Sequence, residues 1–183
     1  MNKIQSYSHV FKIFSLLALI ILPLALILYW INPLGWEGNI GLAISSLLFN
    51  TTFVPQVMNP QNWQVSTRIL ALLIDLIPIG FMMGIAYALM QLFKCYEKGL
   101  VFEVINAHYI KLVGILMLVK AIIVPTLYQA LITLVLSWHN PPGQRYFYLT
   151  ISMSDIVIAI IVIMISWIMK EAAQIKSEQD YTV

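Results

Sequence analysis

The stretch Phe93–Gly114, FKCYEKGLVFEVINAHYIKLVG, is a polar interruption between two long apolar runs, and it carries a cluster of lysines. The flanking runs are Ile69–Phe93 and Ile110–Trp138. Each exceeds the about 20 residues that an α-helix needs to cross a hydrocarbon core. Working outward, two more such runs appear, Val10–Ile31 and Leu149–Met169. Hydrophobic residues make up 61% of the chain and charged residues 10%, against roughly 25% charged in an ordinary soluble domain. A soluble core of this size cannot hide so much apolar surface, so the bilayer is the expected solvent. The reading is an all-α integral membrane protein, a single domain over residues 1–183. It is expected to be a four-helix transmembrane bundle with spans at about 10–31, 69–93, 110–138 and 149–169.

The first run could be mistaken for a secretory signal. It is longer than the roughly 7–15 apolar residues of such a segment, and no small-residue cleavage site follows it. It ends instead in Tyr29-Trp30 and then Asn32-Pro33, an interfacial aromatic pair followed by a breaker. Pro23 and Pro125 fall inside spans and are expected to kink them.

Orientation follows from lysine and arginine. Lys3, Lys12, Lys94, Lys98, Lys111, Lys170 and Lys176 fall on one side, and only Arg68 and Arg145 on the other. Both termini, the loop 94–109 and the tail 170–183 are therefore expected in the cytoplasm. The long connection 32–68, rich in Asn, Gln, Pro and Trp, is expected outside. It reads either as a ligand-binding cap or as a folded loop anchored by Trp36 and Trp63. The formal net charge of +2 gives no basis for direct nucleic-acid binding. The single cysteine, Cys95, excludes an internal disulfide and a Cys-rich metal site.

Within the second span, Gly80, Gly84 and Ala88 recur every fourth residue, a small-residue stripe suited to close helix packing. Three ionisable residues lie within spans: Asp75, Lys120 and Asp155. A charge at the bilayer centre costs about 2.5–3.5 kcal/mol on insertion scales, so such residues face inward and pair. Asp75 sits about 9 Å in from the outer edge and Lys120 roughly 15 Å in from the start of its span, by helical rise. The cluster reads either as an ion or ligand site or as a structural ion pair that sets helix register. His9, His108 and His139 are scattered over both sides, which argues against a shared metal site. No phosphate-binding glycine loop, H-E-x-x-H or G-x-S-x-G pattern occurs, and no cofactor is implied.

In the central loop, Gly99 reads as the stop of the second helix. Val101-Phe102 is expected to pack against the inner mouth of the bundle, and Asn106 to cap or brace the third helix. Gly99, Phe102, Asn106, Lys111 and Gly114 together resemble the motif of a bacterial membrane family known as domain of unknown function 2975. The ending Gln179-Asp180-Tyr181-Thr182-Val183 is similar to the acidic ends of that family. Two positions depart from it: Glu103 stands where Ser or Thr is usual, and Lys111 where Arg is usual. The resemblance implies four spans in the bacterial inner membrane and carries no enzymatic activity. Members of that family often look like companions of small helix-turn-helix regulators, so it also implies a cytoplasmic partner, a DNA-binding regulator among the choices. The expected function is a non-enzymatic regulatory or interaction protein, with Gly99, Phe102, Asn106 and Lys111 in the partner-facing loop. The alternative is a small transporter or membrane ligand sensor that uses Asp75, Lys120 and Asp155. Homo-oligomerisation stays open.

The charge asymmetry yields a direct test. Single cysteines replacing Gln56, Gln144 or Ser177, in a background without Cys95, should react with an impermeant thiol reagent in intact cells only at the first two positions. Labelling at position 177 would reverse the orientation.

Overall fold

The computed structural model describes residues 3–31, 63–141, 143, 145, 147, 149 and 151–181. The described residues contain no strand. Helix α1 spans Lys3–Ile31, α2 Val65–Glu97 and α3 Val104–Ile123. A π-helical turn, Val124–Tyr128, joins α3 to α4, Gln129–Leu136, and α5 spans Met153–Tyr181. Four helical segments are long and apolar enough to cross a membrane: α1, α2, α3 through α4 as one run, and α5. The chain is a multi-pass membrane protein.

The helices outrun the apolar stretches that announced them. Hydropathy marks the part of a helix that lies in lipid, whereas backbone hydrogen bonding continues until a cap or a breaker ends it. The interruption after the second span therefore contracts to the six residues 98–103. The last helix extends about 18 Å past Met169 by helical rise, to Tyr181, so the mixed-charge segment that follows the fourth span prolongs its helix. Residues 32–62, with Trp36, and Gln144 lie outside the described residues, and so do Thr182 and Val183.

Pro23 and Pro78 sit inside continuous helices. Pro125 does not break its helix either; it lies at the start of the π turn. A proline brings no N–H to the ladder, and here the chain responds with one wider turn. The N–H of Gln129 reaches the carbonyl of Val124, and the Thr126 hydroxyl donates to the carbonyl of Ile122 at 2.5 Å. Such turns re-aim the side chains that follow, and the next ring, Tyr128, is 1% exposed.

The chain divides into two compact units. The first comprises Met1–Ile20, Phe81–Ala121 and Ser152–Val183; the second comprises Ile21–Gly80 and Ile122–Ile151. In the first unit, small side chains make the helix contacts. On α5, Ala159, Ser166 and Ala173 are buried at seven-residue spacing, the repeat that keeps one face of a helix against a neighbour. The closest approach is at Gly114 on α3, where a β-carbon would stand 2.6 Å from Ile163 Cγ1 and 3.0 Å from the Ile163 backbone nitrogen. At Gly84 a β-carbon would stand 3.1 Å from Leu116 Cδ1, so the expected stripe meets a neighbour there. Gly80 departs from that expectation: it is exposed, and a β-carbon on it would meet open space. Large apolar side chains such as Phe14, Ile20, Leu73 and Ile161 are exposed, as lipid-facing positions must be.

Gly114→Ala should therefore lower the melting temperature in detergent, because the obstacle includes backbone. Gly80→Ala should be neutral or slightly stabilising, given the helix preference of Ala over Gly of up to ~1 kcal/mol. Equal effects at the two positions would remove the close contact assigned to Gly114.

Candidate functional site

Two places gather polar side chains, one in each unit. The first is the turn between α2 and α3. Gly99 has φ of +81°, a left-handed conformation that costs glycine little and other residues more. It ends α2 in a Schellman motif: the Leu100 N–H bonds the Cys95 carbonyl at 3.1 Å, and the Gly99 N–H bonds the Tyr96 carbonyl at 3.0 Å. Asn106, 0% exposed, closes the other side. Its amide nitrogen donates to the carbonyls of Leu100 and Val101, at 2.6 and 2.8 Å. It thus sutures the turn instead of capping α3, for it lies two residues inside that helix. A lone glycine and a lone asparagine seven residues apart make one closed loop, which is the physical content of the motif.

Carboxylates flank the turn on both sides. Glu97 receives Lys12 at 2.5 Å on one oxygen and meets His9 Nδ1 at 2.6 Å on the other. Glu103 receives Lys176 at 3.1 Å. These two carboxylates thus gather Lys12, His9 and Lys176 from two other helices. The start of α1 and the end of α5 are thereby tied to the turn, although each exposed pair, screened by solvent, adds little by itself. Phe11 stacks on Phe93 with ring centroids 5.2 Å apart, which supports the α1 contact. Lys94, Lys98 and Lys111 stay exposed. The expected inward packing of Val101-Phe102 does not extend to Phe102, which is 48% exposed. The turn is too short, and too tightly sutured at Leu100 and Val101, to fold that ring back.

The second place surrounds Asp75, which is 2% exposed. Its Oδ2 accepts the indole N–H of Trp30 at 2.7 Å, and its Oδ1 accepts the Tyr128 hydroxyl at 3.0 Å. One carboxylate so joins α1, α2 and the π turn. Trp63, also buried, packs on Trp30 with ring centroids 5.8 Å apart, just ahead of α2. Further along α2, the buried Thr67 hydroxyl lies 3.2 Å from His139 Nδ1. Gln129, Thr133 and Ser137 continue a buried polar stripe along α4 and its C-cap.

The intramembrane charges are thus distributed differently from the pairing expected. Lys120 is half-buried near the end of α3 and enters none of the described ion pairs. Asp155 lies in the first turn of α5, where its backbone N–H reaches the Ser152 hydroxyl at 3.4 Å. A carboxylate there favours the positive end of the helix dipole. That geometry accounts for Asp155 without a partner lysine. The sequence reading placed Trp30 only at the membrane interface and passed over Tyr128, so neither was seen as a partner of Asp75. The usable signal is that a buried indole or phenol needs a partner for its polar atom, and few acceptors are on offer in a span.

A family model described as a protein of unknown function, DUF2975, matches residues 13–183. No curated protein and no solved structure matches the chain. The chain belongs to the DUF2975 family.

Asp75 gives a stability test. Asp75→Asn keeps an oxygen for Trp30 and a nitrogen that can donate to Tyr128, so it should melt near the wild type. Asp75→Leu strands the buried indole N–H and should cost about 1–3 kcal/mol. Adding Trp30→Phe should recover part of that loss. Absence of any recovery would mean that the indole bond is not what Asp75 supplies.

Proposed function

We propose that this member of the DUF2975 family is a non-enzymatic regulatory or interaction protein of the bacterial inner membrane. In this reading the turn between α2 and α3 and the end of α5 face the cytoplasm and dock a soluble protein. The observation that carries the reading is the combination at the turn. Its backbone is held by the Gly99 motif and by Asn106, its flanking carboxylates are engaged by α1 and α5, and Phe102 still stands half exposed. Holding an apolar side chain outward on a rigid turn reduces the ordering cost of binding, and aromatic side chains are frequent anchors of interfaces. The excess of lysines on this side supports the cytoplasmic orientation. The family resemblance supports a small DNA-binding regulator as the partner.

The second reading, a ligand sensor or small transporter, is favoured by one observation, the burial of the Asp75 carboxylate between two aromatic donors. Ionisable residues inside a membrane often mark a functional site. The two readings respond oppositely to mutation. Affinity capture of the intact protein should recover a cytoplasmic partner that is lost on Phe102→Asp or on deletion of residues 179–183, with Asp75→Asn leaving capture unchanged. Capture that survives both changes at the turn and the tail would sink the docking reading.

A further inference from the structure

We propose that Asp75 is a proton-binding site: its carboxyl group takes a proton on Oδ1, and the Tyr128 hydroxyl turns from donor to acceptor. Trp30 holds Oδ2 in both states. The assignment rests on the different chemistry of the two partners. An indole N–H only donates, so the oxygen 2.7 Å from Trp30 Nε1 must accept whether or not the carboxyl is ionised. A hydroxyl both donates and accepts. The Tyr128 hydroxyl, 3.0 Å from Oδ1, can therefore donate to a carboxylate and accept from a carboxylic acid. The Tyr128 O–H bond rotates away from Oδ1 as the proton binds. The proton comes from water and returns to it, and no other bond forms or breaks.

A site built to stay ionised would place a cation against the carboxylate, because an unpaired charge among apolar helices is costly. The other titratable or charged groups described in this unit are Tyr29 beside Trp30 on α1, Arg68 early in α2, Tyr128 itself, and His139 and Arg145 beyond α4. None of them forms an ion pair with Asp75 among the described residues. The two neutral donors suit a group that is charged part of the time. The buried stripe Gln129, Thr133 and Ser137 leads from Tyr128 toward His139, which is exposed and bonded to Thr67. Polar side chains at this spacing line one face of a helix.

The test is infrared difference spectroscopy on the full chain reconstituted in phosphatidylcholine vesicles, between acidic and alkaline pH. The expected spectrum contains a protonated-carboxyl stretch at acidic pH that is absent from Asp75→Asn, together with a change in a tyrosine C–O–H band. Tyr128→Phe should abolish the tyrosine signal and shift the carboxyl band. Should Asp75→Asn fail to fold, isotope-labelled aspartate in an Asp155→Asn, Asp180→Asn background identifies the band instead. A folded protein with no Asp75-dependent carboxyl band over the whole pH range would overturn the proposal. A carboxyl band indifferent to Tyr128→Phe would overturn the placement of the proton on Oδ1.

Discussion

A polar atom buried in a membrane-spanning helix has no water to turn to, so each one must be answered from within the protein. The Asp75 carboxylate shows how strongly this organises a chain. One group on α2 engages an indole from the end of α1 and a phenol from the π turn, and each donor is itself a large ring that fills space. The bonds are charge-assisted when the carboxylate is ionised, and such bonds contribute about 1.5–3 kcal/mol each. Bonds of this strength specify register between helices whose apolar surfaces are otherwise interchangeable. The π turn belongs to the same account, since it lies directly ahead of Tyr128 and ends on it.

The turn between α2 and α3 solves the opposite problem. There the chain leaves the apolar run and must reverse within six residues. A glycine with positive φ supplies the backbone geometry, and a fully buried asparagine supplies two donors to carbonyls that no helix satisfies. The ion pairs at Glu97 and Glu103 contribute little energy individually, but together they bring α1 and α5 onto the same turn. Such a junction is fixed in its backbone and still presents side chains outward, which is the property an interaction surface needs. Lys94, Lys98 and Lys111 are exposed and enter none of the described ion pairs, while the neighbouring Glu97 and Glu103 are engaged.

Much of this was open to reading from the amino acids alone, and the reasons are local. Four spans follow from runs of apolar residues, because transfer into lipid is close to a sum over neighbouring side chains. Gly99 was recognisable as a helix stop because the Schellman motif is completed within the next residue. Family membership was legible for a similar reason, since Gly99, Phe102, Asn106, Lys111 and Gly114 lie within one short stretch. The close approach at Gly114 is a different case. The residue was noticed as part of a motif, but its reason is Ile163 on another helix.

What the sequence by itself determined is therefore the class of the protein, its four spans and the turn around which they reverse. The tertiary structure alone decided which polar groups meet. Asp75 was expected to pair with a lysine by the cost of its charge, yet its partners lie 45 and 53 residues away and are aromatic. Phe102 was expected inward by its hydropathy, and the suture of Leu100 and Val101 by Asn106 leaves it outward. Hydropathy and helical period are properties of neighbours along the chain, whereas a hydrogen bond depends on distance and direction in space. That is why the number of spans could be read from hydropathy, and why the hydrogen bonds joining them could not.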